Sequence, residues 1–304
     1  PVTATDRDTL DGDVLFVGGG PAGLAGAIGL RQLVRAHNDG VARTGKGSPL
    51  DLSVALLEKG REIGSHAISG AVLDPRGLRE LYPDFVERGC PLESPVTDDS
   101  VWFLTRRRRL PLPIVPPPLR NHGNYVAALG KVVRWLAAQA EKEGVDLFPG
   151  FAAAEPLLEG DRVIGVRTGD KGIDRHGGRK PNYEPGIDIR AKITVLAEGP
   201  RGTLAKVLAD RFRLDEGRMP QVYAVGIKEV WECPRGSLPP GRVIHTMGFP
   251  LDRGTFGGAF IYSMADDLLD IGLVVGLDYR NPRLDPHALF QALKTHPAIA
   301  PMLR

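Results

Sequence analysis

Cysteine is scarce: Cys90 and Cys233 are the only two among 304 residues, far apart and without CxxC spacing. That excludes a disulfide-stapled miniprotein, and two thiols fall short of the four that usually hold an iron–sulfur cluster. They read as buried or incidental thiols of a reducing compartment. Charge imbalance is small as well, since 39 Lys+Arg against 37 Asp+Glu leave +2. A nucleic-acid footprint would need a local cluster, and the single candidate, Arg106 to Arg109, has no aromatic platform beside it. No nucleic-acid partner is expected. Long apolar runs are missing too: nothing approaches the ~18 residues of a spanning helix, and Pro1 to Asp13 lacks the apolar core of a signal peptide. The chain reads as soluble or membrane-peripheral. It begins at Pro1 and ends at Arg304 without a tail, as a piece of a longer protein would.

What is present is a chain long enough for two domains with a real core, 42% hydrophobic. Asp13 to Val17 is a short apolar run ending in Gly18-Gly19-Gly20, followed by Pro21 and an Ala/Gly/Leu-rich helical segment to about His37. Asn38 to Leu50 reads as an exposed loop, and Leu52 to Leu57 as a second strand closed by Glu58. Asn124 to Glu143 reads as a helix capped at Asn124 and stopped at Gly144, with Val145 to Phe148 as the next strand. Glu159-Gly160-Asp161 marks a hairpin into Arg162 to Thr168, and Ile187 to Ala197 runs back as another strand. From Gln221 onward the apolar alternation predicts a mostly antiparallel sheet over Val222–Val230, Arg242–Met247, Gly254–Ser263 and Asp270–Leu277.

Gly18, Gly20 and Gly23 form a GxGxxG. With 38 glycines among 304 residues, roughly 0.6 such matches arise by chance, so the pattern gains weight only from its setting. That setting is a strand before it, a small-residue helix after it and an acid closing the next strand. There Gly18 permits the tight turn, Gly20 lets the backbone approach a pyrophosphate, and Gly23 lets helix and strand pack closely. Glu58 would accept from ribose hydroxyls. It stands 40 residues after Gly18, beyond the ~20 of the fingerprint, with the Asn38–Leu50 insertion between them. The motif does not separate FAD from NAD. The loop Lys59 to Gly70, rich in small and hydroxylated residues, and the Glu198-Gly199-Pro200-Arg201-Gly202 turn tilt the choice to FAD, a cofactor held along its whole length.

Further runs carry a resemblance: Glu58-Lys59-Gly60 through Ile68-Ser69-Gly70-Ala71 with Leu73-Asp74-Pro75, Asn121-His122-Gly123-Asn124-Tyr125, Phe151 to Glu155, Ala197-Glu198-Gly199, and Gly272 to Tyr279. From about Asp13 to Arg304 the chain resembles the electron-transfer flavoprotein:ubiquinone oxidoreductase family. The resemblance implies an α/β fold, α+β overall. It comprises a Rossmann-like FAD-binding domain of the glutathione-reductase/hydroxylase type over 1–89 and 120–205, and a mostly antiparallel quinone domain over 90–119 and 206–304. It implies FAD contacts at Gly18, Gly20, Gly23, Glu58, Ser69, Gly70, Ala153 and Gly199, and a quinone contact at Gly257-Gly258. It implies a monotopic flavoenzyme that takes electrons from reduced electron-transfer flavoprotein to ubiquinone, on the bacterial cytoplasmic membrane or the mitochondrial inner membrane. The family's [4Fe-4S] cysteines and a second flavin-contacting Gly-Asp segment have no counterpart here, so the chain corresponds to about the first half of such an enzyme. Flavin redox chemistry needs no acid–base constellation, and none is named; His66, His122 and His245 are scattered. Two alternatives stay open: another flavoprotein of this architecture, such as a hydroxylase or isoprenoid reductase, and a non-catalytic FAD-binding piece.

Arg106 to Arg109 leads into Leu110-Pro111-Leu112-Pro113-Ile114-Val115-Pro116-Pro117-Pro118-Leu119. A solvated loop here would expose several large apolar side chains together, which soluble proteins avoid. Membrane contact through Leu112, Ile114 and Val115, beside arginines suited to an anionic surface, is the expectation.

Overall fold

The computed structural model describes residues 7–68, 70–236 and 238–303, which form two compact units. One comprises Pro1–Ile68 with Gly130–Arg218, the other Ser69–Leu129 with Met219–Arg304.

The first unit is built on a six-stranded sheet. Thr9–Val17 lies between Val54–Glu58 and Asp188–Leu196, parallel to both, and Asp146–Pro149 adds a fourth parallel strand. The hairpin of Ala153–Glu159 and Arg162–Thr168 extends the sheet antiparallel from Asp188–Leu196, turning at Gly160-Asp161 as the sequence indicates. Near-continuous apolar runs such as Val14–Val17 suit strands covered on both faces. Leu15, Val17, Leu57, Val166, Ile189 and Leu204 form the core.

The helix after the glycine turn spans Pro21–Thr44, and Gly45 caps it in the left-handed conformation by donating to the Val41 carbonyl. Asn38–Thr44, expected in a loop, are its last two turns. Asn38 clasps the backbone of Leu50 through both side-chain polar atoms, at 2.8 and 2.9 Å, so the chain folds back along the helix. The helix expected from Asn124 begins only at Leu129 and runs to Lys142. Tyr125–Ala127 is instead the middle strand of a three-stranded sheet with Ala71–Leu73 and Leu92–Pro95, where aromatic and β-branched residues find ladder partners.

The second unit carries a six-stranded sheet in the order Ala224–Glu232, Leu268–Gly276, Gly257–Ser263, Arg242–Gly248, Asp98–Leu104, Arg109–Pro111. It is antiparallel as expected, except that Arg242–Gly248 runs parallel to Asp98–Leu104. One face packs Trp102, Leu104, Ile244, Ile261 and Ile271 against Phe290 of the helix Pro286–Lys294. Asp285 caps that helix by accepting from the His287 and Ala288 N–H groups. The other face meets the three-stranded sheet through Val126, Val243, Tyr262 and Met264.

The compact units break at 68/69, 129/130 and 218/219, against the 89/90, 119/120 and 205/206 read from the sequence. Ala71–Leu73 and Tyr125–Ala127 fall in the second unit because they pair with each other, and Thr203–Phe212 stays in the first because Leu204 joins its core. Cys90 is buried and Cys233 half-buried, both free thiols; burial pushes the Cys90 thiol up to about 11, so it stays protonated at neutral pH. Among the described residues no helix is long and apolar enough to cross a membrane.

Candidate functional site

At the end of Thr9–Val17 the chain turns on Gly18, whose φ of +115° is open to glycine and where a Cβ would overlap the Ala197 carbonyl. Its N–H donates to the Leu57 carbonyl at 2.9 Å. Gly20 then caps the long helix in extended conformation without a side-chain hydrogen bond. Pro21 takes the first helical position and the first turn holds no acidic residue. Apart from its chain neighbours, no atom of the described residues lies within 4 Å of the place a Gly20 Cβ would take. The helix start therefore has open space at the Gly20 Cβ position and no side-chain cap on its own N–H groups, whose partial positive charge suits an anion.

Glu58 ends the neighbouring strand and reaches back over the turn. Its Oε2 accepts from the Gly19 N–H at 3.0 Å and its Oε1 from the Gly60 N–H at 2.6 Å, with His66 Nδ1 at 3.4 Å. The carboxylate is thereby fixed beside the glycine turn, with lone pairs left for hydroxyl donors. The backbone of Gly150 and Phe151 bonds to the carbonyls of Gly60 and Glu58, which brings Ala153, half-buried two residues further on, toward the same loop. Gly199, φ +83°, follows directly on the Ala197-Glu198 pair that abuts Gly18. The structure thus brings Gly18, Gly20, Gly23 and Glu58 together at one turn, with Gly199 and Ala153 on the segments adjoining it.

A second glycine-flanked helix starts at Thr203, and here the chain closes the end itself. Glu198 accepts from the N–H groups of Thr203, Leu204 and Ala205 at 3.1, 3.2 and 2.9 Å. The sequence places Glu198 only within a glycine turn that lets the backbone approach a cofactor; an acid a few residues before a helix start is the signal that points to its role. Of these two helix starts, the one at Gly20 has no side-chain cap on its first-turn N–H groups.

In the second unit, Gly70 sits at φ +79°, while Ser69 lies outside the described residues. Gly257 and Gly258 occupy the first positions of a central strand, where Cβ atoms would overlap the carbonyls of Val274 and Thr246. Their own sheet therefore requires glycine at both. His245, half-buried, meets the Tyr262 hydroxyl at 3.1 Å through Nε2, and its Nδ1 has no partner among the described residues. Burial pushes the imidazole below its ordinary range against the pull of Asp99, and pushes the Tyr262 phenol up. Thr105 to Arg108 forms the turn of a hairpin with all four arginines exposed; Arg109 lies over the Trp102 ring. Beyond it Leu110 and Ile114 are exposed, whereas Leu112 and Val115 are half-buried. Ile114 and Val115 line a cleft of about 220 Å³ with Asp99, Arg120 and His122. Among the described residues no three His, Cys, Asp or Glu side chains are grouped to hold a metal ion.

An acid-free helix start behind a Gly18–Gly23 turn, open in front of Gly20 and flanked by a fixed carboxylate, fits a diphosphate joined to a ribose. With the parallel sheet and its hairpin extension it defines the dinucleotide-binding fold of the flavoproteins. Solved structures of that kind match most of the chain. A geranylgeranyl bacteriochlorophyll reductase-like protein from Thermoplasma acidophilum superposes at TM-score 0.65 with 18% identity, over 96% of this chain and 64% of that one. A myxobacterial chondrochloren halogenase, a variant of the FAD-dependent halogenases, superposes at 0.59 with 20% identity, over 96% and 59%. At these identities the likeness is one of fold, and the fold is Rossmann-like. Residues 223–304 match the family model for ETF-QO, ubiquinone-binding. The electron transfer flavoprotein-ubiquinone oxidoreductase of Homo sapiens is 46% identical over 302 residues, and that of Arabidopsis thaliana 45% over 300, each covering 98% of this chain. The chain is therefore similar along almost its whole length to the electron transfer flavoprotein-ubiquinone oxidoreductases. It spans about half the length of these relatives, 47% and 45% respectively.

Proposed function

We propose that this chain is the FAD- and quinone-binding part of an enzyme that passes electrons from reduced electron-transfer flavoprotein to ubiquinone at a membrane surface. The observation that carries the reading is the open, acid-free helix start at Gly20 beside the fixed Glu58 carboxylate. Gly18, Gly20 and Gly23 would seat the diphosphate on the helix N–H groups, Glu58 would hold the ribose hydroxyls, and Gly199, Ala153, Ser69 and Gly70 would meet the rest of the cofactor. FAD, when bound, supplies the electron-carrying chemistry; the residues around it bind, orient and exclude water. The quinone is assigned to Gly257-Gly258, which lie within the matched stretch 223–304.

The exposed Arg106–Arg109 turn and the apolar Leu112, Ile114 and Val115 support monotopic attachment, on a mitochondrial inner membrane or a bacterial cytoplasmic membrane. The [4Fe-4S] cluster belongs to the proposal for the whole enzyme and is assigned to no residue of this chain. A visible spectrum of the purified protein supplied with FAD tests cofactor binding, and steady-state reduction of a short-chain quinone by reduced electron-transfer flavoprotein tests the activity of the complete enzyme. Protein that stays colourless in excess FAD would overturn the reading. A yellow protein that ignores the donor but reduces another substrate would favour the hydroxylase or isoprenoid-reductase alternative.

A further inference from the structure

Asp270 is the third residue of the strand Leu268–Gly276 and is fully buried. Its partner is Lys228 on the neighbouring strand, whose Nζ stands 3.2 Å from Oδ2; the other oxygen, Oδ1, has no hydrogen-bond partner among the described residues. In the ladder Asp270 faces Val230 and Lys228 faces Gly272, so the lysine reaches the carboxylate diagonally. The same Nζ donates a second hydrogen bond, also 3.2 Å, to the carbonyl of Gly70. Gly70 is held in turn from the other side: at φ +79°, a Cβ there would fall on the Asp270 carboxylate. Lys228, 42 positions from Asp270 and 158 from Gly70, thus ties the Gly70 peptide to the buried carboxylate.

Burying a lysine and an aspartate costs about as much in lost hydration as their attraction returns, so an apolar pair would serve the sheet equally well. Burial pushes the Asp270 carboxyl up, with Lys228 opposing it. The feature an apolar pair could not reproduce is the ammonium's grip on the Gly70 carbonyl, together with the shape that admits only glycine at 70.

We propose that Lys228 and Asp270 are positioning residues for the flavin, acting through the backbone of Gly70. The inference rests on the FAD reading above, in which Gly70 meets the cofactor. Neither side chain need touch FAD: Lys228 fixes the carbonyl, Asp270 fixes Lys228, and both set the course of the peptide that does.

The test compares FAD dissociation constants, read from flavin fluorescence quenching, with melting temperatures and far-ultraviolet circular dichroism of the flavin-free protein. The variants are Asp270→Asn, Gly70→Ala and the double variant Lys228→Met/Asp270→Leu. The double variant removes both charges at once, so it leaves no unpaired buried ion and is the one expected to keep its melting temperature. It is also expected to bind FAD roughly tenfold or more weakly, the size of a lost charge-assisted hydrogen bond. Asp270→Asn and Gly70→Ala, where they fold, should weaken FAD likewise. A folded double variant with wild-type FAD affinity would overturn the proposal. Wild-type protein that binds no FAD would instead strike the cofactor reading, so the two failures are told apart.

Discussion

The carbonyl oxygen of Gly18 stands where a side chain on Gly23 would begin. Gly23→Ala must therefore push the helix off the turn, at about 1–3 kcal/mol for overpacking, and thermal unfolding of the flavin-free protein should register it. Gly20 provides the contrast. Its backbone is already extended and its Cβ position meets no described atom beyond its chain neighbours, so Gly20→Ala should leave unfolding unchanged within about 0.5 kcal/mol. Yet the methyl would stand where the pyrophosphate approaches, so FAD affinity should fall by roughly tenfold or more. Full flavin affinity in Gly20→Ala would reduce the motif to a structural turn.

Glu198 satisfies three N–H groups of the helix Thr203–Phe212 from outside it. Glu198→Ala leaves those donors to water and removes a negative charge from the positive end of the helix. The expected cost is about 1–2 kcal/mol, measured by urea unfolding. Glu198→Gln, which keeps an acceptor, should cost less. Equal loss in both would mean that charge, not hydrogen bonding, is what the helix start requires.

Glycine positions were legible in the sequence because backbone demands at Gly18 and Gly23 can be met by no other residue, and Glu58 because a strand-closing acid has few other reasons to follow an apolar run. The antiparallel sheet from Ala224 onward was legible from its alternation. Elements decided by distant partners were not. Tyr125–Ala127 shares the helical periodicity of the residues after it, and only pairing with Ala71–Leu73 and Leu92–Pro95 makes it a strand. Asn38 to Leu50 reads as an exposed loop, yet the helix runs on to Thr44, with Asn38 clasping the backbone of Leu50 twelve residues on. The Lys228–Asp270 pair was silent for the same reason, since composition does not record which strands lie side by side.

His245 is held neutral by burial, and the groups facing it are the Tyr262 hydroxyl on one neighbouring strand and the Asp99 carboxylate on the other. Burial wins over Asp99, so the folded protein refuses a proton that the unfolded chain accepts below its ordinary range near 6.5. The stability this histidine contributes is therefore complete above about pH 6.5 and is lost as the pH falls below it. Urea midpoints should decline from pH 7 to pH 5, and His245→Gln, which can still hydrogen-bond to the Tyr262 hydroxyl, should flatten that decline. A slope unchanged by the substitution would place the titrating group elsewhere.

Ile114 is 67% exposed and the two apolar residues named with it are half-buried, so the three should not contribute equally to membrane attachment. Flotation on vesicles of phosphatidylcholine with phosphatidylserine should show wild-type binding and its loss in the triple variant Leu112→Ser/Ile114→Ser/Val115→Ser. Ile114→Ser alone should account for most of that loss, because a side chain moved from water into the interface gains about 1.5–3 kcal/mol when fully buried, roughly ten- to hundredfold in partitioning. Val115 already rests against the cleft it shares with Asp99, Arg120 and His122, and has less surface left to bury. The exposed arginines at 106–109 add a separate, salt-sensitive attraction to anionic lipid. Raising the ionic strength should weaken wild type and the triple variant by the same factor, since the two contributions arise from different residues. Undiminished flotation of the triple variant at every salt concentration would leave the arginines as the whole attachment and remove the apolar segment from it.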